Sequence, residues 1–81
     1  MRLTDEQRET LLPLLDVAAV WSSYADSHVG SAQSLLDAQA APEMAREDVR
    51  AALVAAQRVV AALSEFEATW DAHFGAPEVA S

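Results

Sequence analysis

Two segments hold the residue types that chemistry needs. SEFEATWDAHFG, residues 64–75, sets Glu67, Asp71 and His73 among Phe66, Trp70 and Phe74, offering carboxylate and imidazole ligands for a metal. Residues 21–28 set Ser22, Ser23 and Ser27 just before His28, a nucleophile type beside a base type. On a helix, Glu67 and Asp71 are four apart and share a face, but His73 lies about 160° around from Asp71. The Glu-x-x-His spacing of helical di-iron sites is therefore absent. A metal would need His28 or carboxylates from elsewhere, and no spacing points to them. The serines lack the G-x-S-x-G elbow and any glycine loop for an oxyanion. With only two glycines, phosphate-cradling loops are excluded as well. The expectation is no catalytic residue, no metal, no cofactor and no enzyme.

The aromatic residues then read as packing groups. Phe66, Trp70 and Phe74 recur every four residues, a stripe suited to a core or subunit interface, with Trp21 and Tyr24 as counterparts nearer the N-terminus. His28 reads as a hydrogen-bonded residue at a helix end, where a cation is favoured.

Eighty-one residues make one small domain, 1–81, that buries only about 60% of the surface its unfolded chain exposes. There is no cysteine, so packing must supply the stability; the lack of thiols fits a reducing cytoplasm. MRLTDEQRE is polar where a secretory leader is hydrophobic, and no apolar run approaches a membrane span, so a soluble, cytoplasmic protein without membrane contact is expected. Lys, Ile and Asn are absent, as the codons of a high-GC bacterium or its phage would produce. With 13 acidic against 5 basic residues and a net charge of −8, direct nucleic-acid binding is not expected.

The positioning elements follow from caps and periodicity. Thr4 with Gln7 forms a capping-box pattern, and Asp5 and Glu6 suit the positive end of a helix dipole. Gln7, Leu11, Leu14, Ala18, Trp21, Ala25 and His28 recur at three and four, predicting a helix over 5–29, kinked at Pro13 and stopped by Gly30. A short elbow helix over 32–40 follows. Pro42 opens a long helix over 42–74, and 75–81 reads as a frayed tail. The expected seam of that last helix is Val49, Leu53, Ala56, Val60, Leu63, Trp70 and Phe74, flanked at strict sevens by Ala45, Ala52, Val59, Phe66 and His73. Glu67 then falls on the seam, where a buried carboxylate would need a partner.

The fold class expected is all-α: an antiparallel helical hairpin with an elbow helix, doubled into a four-helix bundle as a dimer. Leu12, Leu15 and Val20 lie beyond what one partner helix covers, so the association surface is read as these three with Trp21, Tyr24, Phe66, Trp70 and Phe74. At the open end Asp5, Glu6, Glu9, Glu65, Glu67 and Asp71 gather into an acidic pole. The function expected is a non-catalytic protein-protein interaction module, a homodimer or the receptor of a protein partner. The alternative is a small acidic inhibitor, bacterial or phage-encoded, that covers the basic surface of a nucleic-acid-binding protein. In size the chain is similar to the WXG100 secretion-substrate class, but it departs from that pattern. Its nearest triplet to Trp-x-Gly is His28-Val29-Gly30, and FGAPE is a poor version of the aromatic-xxx-acidic tail signal, so no family is recognised.

Overall fold

The capping box forms. Thr4 Oγ1 accepts from the Gln7 N–H at 3.1 Å, and Gln7 Oε1 accepts from the Thr4 N–H at 2.9 Å. Two of the four orphan donors of the first turn are thereby satisfied or screened, and an Arg8–Asp5 ion pair at 3.0 Å lies alongside. From this start α1 runs Asp5–Asp37 and, after a four-residue connection, α2 runs Pro42–Phe74. Each has 33 residues, about 50 Å of helix. The structure is a computed structural model that describes residues 3–74, apart from the side chain of Phe74. The expected tail over 75–81 lies outside the described residues, among which there is no strand.

The boundaries of α2 match the expectation, whereas α1 is eight residues longer than 5–29 and absorbs most of the expected elbow helix. α1 runs through Pro13 as expected, and one local stop signal, Gly30, was outweighed. Pro13 removes one donor from the interior of α1, but it sits on the exposed side, where the freed Glu9 carbonyl can tilt toward water. Gly30 costs a helix about 1 kcal/mol relative to Ala. The seam nevertheless continues through Ala32 and Leu35, and packing along it holds the extra two turns.

The stop comes instead at Gln39. Its φ is 53°, its N–H donates to the Leu36 carbonyl at 3.0 Å, and the Ala40 N–H donates to the Leu35 carbonyl at 2.9 Å. That pair of bonds is the Schellman closure, in which glycine normally takes the left-handed position. Ala41, at φ 41°, turns the chain into Pro42, and its carbonyl accepts from Met44 and Ala45.

Antiparallel register follows from pairs across the two helices: His28 meets Asp48, and Arg58 covers Trp21. Every residue of α1 that is not exposed falls on one heptad row, Gln7, Leu11, Leu14, Ala18, Trp21, Ala25, His28, Ala32 and Leu35. On α2 the facing row is Ala45, Asp48, Ala52, Ala55, Val59, Ala62, Phe66 and Thr69. This corrects the expected α2 seam: the strict-sevens flank faces inward, and Val49, Leu53, Val60 and Leu63 stand in solvent at 46%, 56%, 63% and 44% exposure. Of the flank, only His73 stays exposed. The fully buried set is Leu11 and six alanines. Alanine lets two helix axes approach toward the close end of the ~8–10 Å range, so backbone-to-backbone packing replaces side-chain bulk.

Two substitutions test these backbone assignments. Space for a Cβ at Gly30 is open, so Gly30→Ala should stabilise the fold by about 0.5–1 kcal/mol. Gln39→Gly should add about 0.5–1 kcal/mol by relieving the left-handed conformation. Thermal denaturation followed by circular dichroism at one protein concentration checks both; a lower melting temperature for Gly30→Ala would contradict a helix through residue 30.

Candidate functional site

Of the polar residues singled out for chemistry, His28 meets a partner across the helices. His28 lies inside α1 and not at its end, because the helix continues to Asp37. Its Nδ1 is 2.8 Å from Oδ1 of Asp48 across the seam. An ionised carboxylate only accepts, so Nδ1 carries the proton of this bond. The Ser31 hydroxyl also donates to Asp48, and with the His28 ring it holds that carboxyl below its ordinary value of 3.8. The carboxylate is thus the middle member of the three, whereas a nucleophilic relay needs the imidazole between acid and hydroxyl. This arrangement clamps the register of the hairpin near its elbow end. Ser22, Ser23 and Ser27 are exposed.

The segment 64–75 resolves in the same way. Glu67 and Asp71 are exposed, and no group of three metal-type side chains converges among the described residues. Phe66 and Trp70 stack at 6.1 Å between centroids with an interplanar angle of 22°. The row carrying Glu67 faces solvent, so this carboxylate is exposed and needs no buried partner, as expected for a seam residue near the open end. All six acidic-pole residues (Asp5, Glu6, Glu9, Glu65, Glu67, Asp71) are exposed at the open end, where Arg8 pairs with Asp5.

The two long faces of the hairpin differ. On one, Trp21 meets Tyr24 edge-on at 5.8 Å, Tyr24 lies 4.6 Å from the His28 ring, and the Arg58 guanidinium covers Trp21 at 5.4 Å. Arg58 and Glu65 border the hollow formed there with Leu14, Val17 and Trp21. Aromatic and charged groups finish this face. Val20 and Tyr24 of the expected association surface belong to it.

On the opposite face a groove of about 290 Å³ runs between the helices, lined only by Ala25, Val29, Val49, Ala52, Leu53 and Ala56. Leu15 and Leu36 extend it along α1 on the row of Val29, fourteen residues before and seven after it, with Leu12 beside them; Val60, Leu63 and Trp70 extend it along α2. Leu12 is 48% exposed, Leu15 40%, Val29 44% and Leu36 59%. From Val49 to Leu63 the α2 side of this face has no charged residue. Leu12, Leu15 and Trp70 of the expected surface therefore belong here, while Trp21 and Phe66 are half-buried in the seam and the Phe74 side chain is outside the description. The major components, Val49, Leu53, Val60 and Leu63, were legible as an apolar row but had been assigned to the intrachain seam.

The clamp has a pH signature. Because Asp48 titrates below 3.8 in the fold, its stabilisation is complete above that value and is lost as pH falls through the lower folded one. The difference in melting temperature between the protein and Asp48→Asn should be largest near neutrality and shrink below pH ~4. A difference independent of pH between 2 and 6 would remove the clamp.

The chain matches no family model, no curated protein and no solved structure.

Proposed function

We propose that this protein is a non-catalytic helical interaction module whose working surface is the apolar face formed by the outer row of α2 and by Leu12, Leu15, Val29 and Leu36 of α1. One observation supports the reading above the rest: apart from Leu11 the buried residues of the hairpin are alanines, and most of the large aliphatic side chains, Leu12, Leu15, Val29, Leu36, Val49, Leu53, Val60 and Leu63, are exposed on one face, with Val17, Val20 and Val54 on the other. Contiguous exposed apolar surface of several hundred Å² marks an association site. The His28–Asp48 clamp and the Schellman closure hold the two helices antiparallel side by side, so the face is presented as a ready-made half of a bundle.

A second reading rests on the acidic pole. Six exposed carboxylates at one end would suit a basic protein surface, as an inhibitor of a nucleic-acid-binding protein would require. The two differ in their response to ionic strength. At about 0.5 M salt the Debye length is about 4 Å, which dissolves attraction through the pole and leaves apolar docking intact.

The double variant Leu53→Glu/Val60→Glu should keep its helix content and melt within a few degrees of the parent at low concentration, because neither side chain enters the seam. It should lose self-association in light scattering and any partner retained at high salt in a pull-down. Association unchanged by these charges, or a complex lost only on raising salt, would reject the apolar face in favour of the pole.

A further inference from the structure

We infer that the occupant of the apolar face is a second copy of this chain, laid down antiparallel so that α2 crosses α2 at Ala56 about a twofold axis. The inference rests on the docking reading above and adds the partner and the orientation.

The first argument is area. The chain exposes 6152 Å², whereas a compact monomer of 8.7 kDa exposes about 4,700 Å². The excess, about 1,400 Å², exceeds the roughly 800 Å² that each partner gives to an ordinary stable interface. The radius of gyration agrees, at 17.9 Å against about 12 Å for a globule of this length. Of the two faces of this flat layer, one carries Arg58 and Glu65 among its exposed side chains and the other carries the longer aliphatic rows, which a second layer of equal length covers end to end.

The second argument is that the α2 row is self-complementary. Val49 and Leu63 each stand seven residues from Ala56; Leu53 stands three before it and Val60 four after. Turning the row over about Ala56 sets Val49 on Leu63 and Leu53 on Val60, larger aliphatics on larger, with the smallest side chain at the axis where the helices come closest. An isologous contact demands this property, since each residue must suit its own reflection in the list.

The third argument is charge. Arg46 and Glu67 bound the apolar stretch on the same row, ten residues before Ala56 and eleven after. The same turn brings Arg46 of one copy to Glu67 of the other, twice. It also carries the acidic open end of each copy to the elbow end of its partner, where Arg46 and Arg50 offset part of the charge of Asp37, Glu43, Glu47 and Asp48 and the net negative charge is smaller, and it keeps the two acidic poles apart by about the length of a helix, ~50 Å. Placing both elbows at one end would press two poles of six carboxylates together. On α1, Ser22 and Asp26 interrupt the row. The α2 pair therefore makes the central contact, and Leu12, Leu15 and Val29 widen it.

The test uses the absence of cysteine. Ala56→Cys, mildly oxidised, should give a disulfide-linked dimer in high yield, because only residues near the axis approach their own copies within the 4.4–6.8 Å that the bond tolerates. Val20→Cys, on the other face, should not. Glu67→Arg should weaken dimerisation about tenfold by sedimentation, and Arg46→Glu/Glu67→Arg should restore it. A dimer by mass in which Ala56→Cys stays uncrosslinked, while a mixture of the single variants Ser22→Cys and Ala56→Cys gives a mixed disulfide between copies, overturns the antiparallel orientation. A monomer at about 100 µM that still retains a partner, lost in Leu53→Glu/Val60→Glu, overturns the second-copy occupant and leaves the docking face standing. A monomer that retains nothing overturns both.

Discussion

The whole arrangement depends on alanine in the seam. Six of the seven buried side chains are a single methyl group, so the two helices adhere by close backbone approach and not by interlocking large residues. A methyl carries little hydrophobic free energy on its own, about 0.8 kcal/mol for each buried carbon. The hairpin therefore has a well-shaped but thin interior, and the polar devices at its margins matter more than they would in a thicker domain: the capping box at one end, the His28–Asp48–Ser31 cluster toward the other, and Arg58 lying on Trp21 between them.

That choice of seam explains why the sequence was readable in part. Local rules with a single outcome read correctly: Thr4 and Gln7 as reciprocal caps, Pro42 as a first helical residue, and the α1 row from Gln7 to His28. On α2 two apolar rows run side by side, one of alanine, Val59 and Phe66, the other of valine and leucine, and periodicity alone ranks them by bulk. Bulk gives the wrong order when the nearer partner is the backbone of a helix only four residues away in the chain, because a tight connection favours a close approach and close approach admits only small side chains. The larger row was then displaced outward by about one position on the helical wheel, and it took Glu67 with it into solvent.

Glycine misled for a related reason. The rule that glycine ends a helix concerns the left-handed residue after the last turn, and this chain fills that position with Gln39. Gly30 stands instead inside α1, with open space beyond its Cα and the seam intact on the far side. Strain and missing side chains are thus concentrated toward the elbow, in Gly30, Gln39 and Ala41, while the open end is capped. Of the candidate site, the aromatic residues and the outlying leucines were visible from composition and spacing. Their division between two faces was not, because it depends on which row of α2 turns inward.

The charge distribution has a physical logic once the faces are separated. A chain at −8 repels copies of itself, and spreading that charge evenly would oppose any self-contact. Here six of the acidic groups are gathered at the open end, and the α2 row of the apolar face is free of charge over Val49–Leu63, with one basic and one acidic residue at its two limits. Repulsion then acts end against end and not across the face. It penalises arrangements that bring two open ends together while leaving the lateral contact unpenalised. In the proposed dimer, orientation would be selected by disfavouring the wrong pairing as much as by favouring the right one, a division of labour in which the aliphatic row would supply affinity and the poles direction.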